Sequence, residues 1–224
     1  MKIRHHLDDS TLMSLAAGSL PEALGAVAAN HLDWCAQCRE RSHEFELIGG
    51  AMLEGIEPEA MAADAPDRAW DGLLDARAKS ANRPAQIAGS ESSARDAALP
   101  GPLSKLLDGP LSNVSWSFMA PGVRSHRLFP PGAIKGDLRL LKISPGHKLP
   151  QHGHSGSELT LVLTGSYHDE FGRFGPGDVA DLDESVEHTP VADDGAACIC
   201  LIASESPARF KGLISRTLSR LFGM

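Results

Sequence analysis

Positive charge is scarce in this chain. Against 29 Asp and Glu it carries 21 Lys and Arg, a formal net charge of −8. That balance argues against a sequence-independent grip on nucleic acid, which needs basic patches to displace counterions. Long apolar runs are missing as well: nowhere do about 18 apolar residues follow one another, so no segment reads as a membrane-spanning helix. The opening stretch, MKIRHHLDDSTLMSL, lacks the uninterrupted apolar core of a signal peptide. A cytoplasmic location is the expectation. Aromatic residues make up 5% of the chain, although a hydrophobic fraction of 42% is ordinary for a globular protein. Cysteine is limited to four residues; in a reducing compartment these are metal ligands or redox thiols more often than structural disulfides. The 224 residues suffice for two small domains or one large one.

Two of the cysteines stand in the run His31-Leu-Asp-Trp-Cys35-Ala-Gln-Cys38. On a continuous helix, positions i, i+4 and i+7 lie at about 0°, 40° and −20° around the axis, so the three side chains share a face. If the chain bends at Trp34 instead, the Cys-x-x-Cys opens a new helix and reaches the same point from the other side. Either way, three such ligands are one short of a closed tetrahedral zinc site. His6 precedes His31 by 25 residues, a distance that two antiparallel helices would close, and it is preferred to its near-equivalent rival His5. His43, five residues past Cys38 on another face, is poorly placed.

The surrounding pattern is helical from residue 8 to about 57. Asp8, Asp9 and Ser10 suit the start of a helix carrying Leu12, Leu15 and Ala16, and Gly18 its end. Pro21 suits the first turn of a second helix, 22 to about 32, with Leu24 and Val27 as its contacts. A third begins near Cys35 and weakens at Gly49-Gly50. A fourth piece, 66–78, carries Trp70, Leu73 and Leu74 on one stripe. Such a stripe is core, or else a face left open for a partner. Short, alanine-rich helices bury little area, and a unit of this size often relies on a metal, whose binding energy adds directly to folding.

His6 followed by His31-x-x-x-Cys35-x-x-Cys38 in a small helical domain resembles the zinc-binding anti-sigma fold. That resemblance implies a clamp on a sigma factor of the extracytoplasmic-function class, keeping it from RNA polymerase, with the helix at 66–78 as one contact. A generic structural zinc knuckle is the bland alternative. A redox Cys-x-x-Cys is weaker, because no βαβ pattern surrounds it.

Residues 79–98 are small, polar and without periodicity, the composition of a flexible linker. From about residue 99 the pattern turns to β: branched and apolar runs at 137–144, 158–164 and 196–203 alternate with Gly, Pro and Asp turns. Within this half, Gly146 is followed by His152-x-His154, Glu158 and Gly165, and later by Gly175-Pro176-Gly177-Asp178 and His188. The i, i+2 spacing puts both imidazoles on one face of a strand, with Glu158 able to return to it from the next.

This half resembles the cupin fold, with a complete first motif and a looser second one, since no Pro-x-Gly directly precedes His188. By that resemblance His152, His154, Glu158 and His188 bind a metal. Three imidazoles and a carboxylate suit zinc, iron, manganese or nickel. Cys198 and Cys200 share one face of a strand, about 6.6–6.8 Å apart along it, at or beyond the usual disulfide limit. They read as small buried hydrophobes or, if that face is the barrel interior, as thiols oxidised beside the metal. From Arg209 the tail carries an apolar helical stripe with Lys211, Arg216 and Arg220 beside it. It reads as docked on the barrel or as a surface or partner helix.

The expected fold is therefore α+β and multidomain: a small zinc-stapled helical bundle (1–78), the linker (79–98), a cupin double-stranded β-helix or jelly-roll barrel (99–206) and an amphipathic tail (207–224). The combination resembles the ChrR-type anti-sigma factors. The resemblance implies sequestration of an extracytoplasmic-function sigma factor by the N-terminal zinc domain. Release would follow an oxidative, singlet-oxygen-type signal involving the cupin domain, which binds zinc or another divalent transition metal. No catalytic residue, direct nucleic-acid contact or transmembrane segment is expected. The alternatives are a cupin metalloenzyme, a dioxygenase or isomerase with an accessory zinc domain, and a metal-storage or interaction module.

Overall fold

The computed structural model describes residues 2–81, 99–107, 109–206 and 209–210. The N-terminal helices are α1 (Asp9–Ala16), α2 (Glu22–Trp34), α3 (Ala36–Glu54) and α4 (Ala65–Ala81), followed by α5 (Gly101–Leu106). The strands are β1 (Ser117–Ala120), β2 (Val123–Arg127), β3 (Asp137–Ile143), β4 (His152–Gly153), β5 (Glu158–Thr164) and β6 (Tyr167–Asp169). They continue with β7 (Gly172–Phe174), β8 (Val179–Leu182), β9 (Glu187–His188), β10 (Val191–Ala192), β11 (Cys198–Ser204) and β12 (Arg209–Phe210). Two compact units emerge, one of residues 1–50 with 96–224, the other of residues 51–95. The linker read at 79–98 lies outside the described residues from 82 on, as does the tail read at 207–224 apart from β12.

Helix ends follow local chemistry. Gly18, at φ 67°, takes the left-handed position just past α1 that a Cβ would disfavour. Pro21 directly precedes α2. Between α2 and α3 the chain is bent rather than continuous: Cys35 is extended, at φ −101° and ψ 103°. By contrast α3 does not weaken at Gly49-Gly50 but runs through them to Glu54. Two helical glycines cost about 1 kcal/mol each against alanine, too little here to end the helix.

The barrel is built from a six-stranded antiparallel sheet, β1-β2-β3-β11-β5-β8, and two three-stranded sheets, β10-β6-β7 and β12-β4-β9. Its central strands alternate strictly. Leu141, Ile143, Val162, Cys198 and Cys200 form one apolar cluster with Tyr167, Phe174 and Ala192 from the first small sheet; this is the barrel interior. Leu138, Leu140, Leu159, Leu161, Leu163 and Leu201 point the other way, into a cluster with Leu24, Val27 and Ala28 of α2. The outer face of the sheet is thus covered by a helix, which is why β5 is buried at every position but its last. Each Leu or Val placed there contributes about 1.5–3 kcal/mol of burial. The area that short helices cannot provide for one another comes from the barrel.

Polar side chains fasten α2 in place. Asn30 Oδ1 accepts the Leu103 N–H at 2.8 Å and Asp33 Oδ2 the Gly101 N–H at 2.9 Å, tying down the first turn of α5. Gly165, at φ 68°, closes the turn after β5; a Cβ there would lie 2.5 Å from the Ala197 carbonyl oxygen.

Candidate metal centres

His31 continues the buried stripe of α2 formed by Leu24, Val27 and Ala28, and is itself fully buried. The bend at Cys35 then lets α3 start at Ala36, so both thiols meet its N-terminal turn. Cys38 donates its backbone N–H to Cys35 Sγ at 3.4 Å, a position where a helix favours negative charge. Cys38 Sγ lies 3.3 Å from His31 Nε2 and 3.5 Å from His6 Nδ1, and Cys35 Sγ lies 3.3 Å from His6 Nδ1. Together His6, His31, Cys35 and Cys38 offer four ligand atoms within 4.8 Å of one another. Tetrahedral zinc bonds of the usual length place neighbouring ligands about 3.3–3.8 Å apart, and the spacing fits.

The barrel holds these ligands in position. His31 Nδ1 donates to the Gly177 carbonyl oxygen at 3.0 Å, which leaves Nε2 unprotonated toward the cysteines. Burial pushes the His31 pKa down to about 4, with the Gly177 bond opposing and His6 adding to the fall, so the imidazole is neutral. Asp178, 4% exposed, accepts the N–H groups of Arg4 and His5 through Oδ1 at 2.6 and 3.1 Å and that of Gly175 through Oδ2 at 2.8 Å. The segment that delivers His6 is pinned by that carboxylate. Burial pushes the Cys38 thiol up to about 12, so it keeps its proton until a cation displaces it.

The second group lies in the barrel mouth, where His152 pairs directly with His188 across β4 and β9. His152 Nδ1 donates to the Pro150 carbonyl at 3.0 Å, and His188 Nδ1 donates to Asp169 Oδ2 at 2.9 Å. Both Nε2 atoms therefore present lone pairs, and they face each other at 3.2 Å. Two acceptors so close repel unless a proton or a metal ion lies between them, and the position suits either. Glu158 opens β5, 3.3 Å from His154 Nδ1, and the buried His154 Nε2 has no hydrogen-bond partner among the described residues. Burial alone would raise the Glu158 pKa, but His154, His152 and His188 bring it below its ordinary value. Burial first, offset in part by Glu158, lowers that of His152. Neutral imidazoles and an ionised carboxylate are the states in which these groups ligate. His152, His154, Glu158 and His188 again offer atoms within 4.8 Å of one another.

Residues 109–207 match the family model described as the ChrR cupin-like domain. Over 222 residues the chain is 38% identical to the anti-sigma-E factor ChrR of Cereibacter sphaeroides, a match covering 99% of each. This chain belongs to the ChrR family. Its structure is also similar to that of ChrR crystallised in complex with SigE of Rhodobacter sphaeroides, with a TM-score of 0.69 and 37% identity, covering 91% of this chain and 99% of that one. The match to ChrR spans both halves of the sequence, the helical part that carries His6, His31, Cys35 and Cys38 and the cupin-like barrel.

Of the histidines weighed from the sequence, His6 is brought to the cysteines. His5 is not: it stacks on Phe174 with ring centroids 4.1 Å apart, and its Nε2 donates to the Arg173 carbonyl at 3.2 Å. His43 is exposed and meets Glu46. Cys198 and Cys200 face the barrel interior, free and buried, with sulfurs 3.6 Å apart at a pairing irregularity of β11. Hydrogen bonding with Cys198, together with burial, holds the Cys200 thiol well above its ordinary pKa. Sequence reasoning missed the supporting residues Pro150, Asp169, Gly177 and Asp178. Gly177 and Asp178 stand in the Gly-Pro-Gly-Asp turn noted in the sequence, which gave no sign of their role, and Pro150 and Asp169 left no signal.

Proposed function

We propose that this chain sequesters a sigma factor of the extracytoplasmic-function class through its N-terminal helices, so regulating transcription, and releases it when an oxidative, singlet-oxygen-type signal acts on the barrel. The observation that carries the first half is an apolar stripe on α4, where Trp70, Leu73 and Leu74 are 65%, 63% and 48% exposed among the described residues. A soluble chain rarely leaves such a row open without a partner. Membership of an anti-sigma family supplies that partner's class and favours a regulator over a cupin metalloenzyme. A cytoplasmic location suits a partner that serves RNA polymerase, and among the described residues no helix is long and apolar enough to cross a membrane.

The second half rests on connectivity within the barrel unit. Gly177, whose carbonyl orients His31, donates its N–H to Val162 at 2.9 Å, and Val162 lies on β5, the strand that Glu158 opens. A change at the barrel cluster that shifts β5 thus reaches the helical cluster through two hydrogen bonds. Such a change alters the hold on a partner only through its differential effect on bound and free states. His6, His31, Cys35 and Cys38 would hold zinc, a closed set that supplies fixed geometry rather than reactivity. His152, His154, Glu158 and His188 would hold zinc or another divalent transition metal.

Co-expression of the full chain with the extracytoplasmic-function sigma factors of its host tests the reading. A stoichiometric complex that inhibits transcription and dissociates on singlet-oxygen exposure is expected. Failure to retain any such sigma factor would refute sequestration, and a complex indifferent to oxidants would refute the signal.

A further inference from the structure

Three of the four candidate ligands in the helical cluster, His31, Cys35 and Cys38, are buried, and the fourth, His6, is half-buried. His6 is also the one carried by irregular chain. His31 lies in α2, Cys35 caps it and Cys38 lies in α3, whereas residues 2–8 belong to no helix or strand. A segment without its own backbone ladder opens at lower cost than a helix does.

The same side of the cluster faces solvent. A recess of about 280 Å³ has His6 and Cys38 in its wall, with Leu12 of α1 and Gln37 and Glu40 of α3 beside them. His31 and Cys35 are not among the residues that line it. Asp9, Arg41 and Glu44 line it as well, and all three are exposed, so they form its rim.

Arg41 fastens that rim. Its Nε and Nη2 donate to Asp9 Oδ1 and Oδ2 at 2.9 and 2.5 Å, and its Nη1 donates to Glu44 Oε2 at 2.6 Å. The guanidinium also lies 4.7 Å from the centroid of the Phe45 ring. A planar fork engaged on both oxygens of one carboxylate and stacked on a ring is fixed in direction as well as position. Asp9 opens α1 three residues after His6, so the fork ties that end of the segment to α3. His6 is thus held from both sides: Asp178 pins the backbone before it, and the Asp9–Arg41 clasp the backbone after it.

We propose that this recess is the exchange route of the helical cluster, with His6 the ligand that lets go first and the Asp9–Arg41 clasp setting how often it does. A competing donor that enters the recess takes the position His6 leaves, and His31, Cys35 and Cys38 keep theirs until then. This route presupposes a metal in the cluster, as proposed for zinc.

Cobalt(II), loaded into the full chain in place of zinc, tests it. Thiolate-to-cobalt absorption in the near ultraviolet marks a cluster with cysteine ligands and not one of three histidines and a glutamate. The measurement is the rate at which excess EDTA erases that band at neutral pH. Arg41→Ala should accelerate the loss about two- to fivefold, the scale of a lost exposed ion pair, with the melting temperature hardly changed. Glu40→Trp, which fills the recess, should slow it, with Gln37→Trp as the substitute if that variant does not fold. Both directions run against simple electrostatics: EDTA is an anion, so losing the Arg41 charge would slow its approach and losing the Glu40 charge would speed it. General loosening of the helices cannot slow extraction either. An unchanged or lower rate in Arg41→Ala, or a rate at or above the parent's in the recess-filling variant, would each overturn the route. A parent without the thiolate-to-cobalt band would refute the metal in this cluster, and the route with it.

Discussion

His31 donates its Nδ1 proton to the carbonyl oxygen of Gly177 at 3.0 Å, across 146 residues of sequence. A candidate ligand of the helical His/Cys cluster is thus oriented by a turn of the barrel.

Asp178→Ala leaves the N–H groups of Arg4, His5 and Gly175 without their acceptor and frees the segment carrying His6. The expected loss is about 2–3 kcal/mol, read by denaturant unfolding. A chelator should strip metal from the helical cluster faster than in the parent, while the barrel cluster releases its metal at the parent rate.

Cys38→Ser removes a ligand that faces both His31 and His6. Metal analysis should show one equivalent fewer per chain, with the stability of the N-terminal helices reduced by several kcal/mol because structural metal binding is folding energy. Sigma-factor binding should be lost in the same variant. A variant that still represses would contradict the role assigned to this site.

Protons compete with metal at this cluster in a direction set by two residues. His31, lowered to about 4, is already neutral above pH 5 and gives up no proton on binding. Cys38, raised to about 12, is protonated without metal and must release one. Apparent zinc affinity should therefore rise with pH, by about tenfold per unit for that proton, between pH 6 and 8. Chelator competition at several pH values measures the slope.

His152→Ala combined with Glu158→Ala empties the barrel cluster of two ligands. Sequestration should survive while the response to oxidant is blunted, measured by complex dissociation before and after singlet-oxygen exposure. Loss of sigma binding without oxidant would show that holding and sensing are not divided in this way.

On α4, Leu73→Asp should weaken sigma binding at least about tenfold, the scale of a lost apolar anchor. Because Leu73 is 63% exposed, the melting temperature should hardly change, surface substitutions falling within about 0.5 kcal/mol. Unchanged affinity would remove this stripe from the interface.

Much of the molecule was legible in the order of its residues. Helix starts at Asp9 and Glu22, the strands near 137–144 and 158–164, and the groupings of His31 with Cys35 and Cys38 and of His152 with His154 follow from local chemistry: caps, period-two alternation, and side-chain types at spacings that one helix or strand face imposes. Whether the chain bends near Trp34, and whether His5 or His6 turns to the cysteines, depended on contacts that no local pattern contains. Phe174 takes the ring of His5, and Asp178 holds the backbone between Arg4 and His5. The same holds for α2, whose Leu24, Val27 and Ala28 look like a modest helical stripe but cover Leu138, Leu159 and Leu201 on the outside of the barrel. A strand apolar on both faces signals a cover without saying which segment provides it. In the run from His31 to Cys38, the sequence by itself determined the ligand types and their spacing. The tertiary structure alone decided that a barrel turn aims one of them, because a hydrogen bond between residues 31 and 177 exists only once both have been folded onto the same sheet.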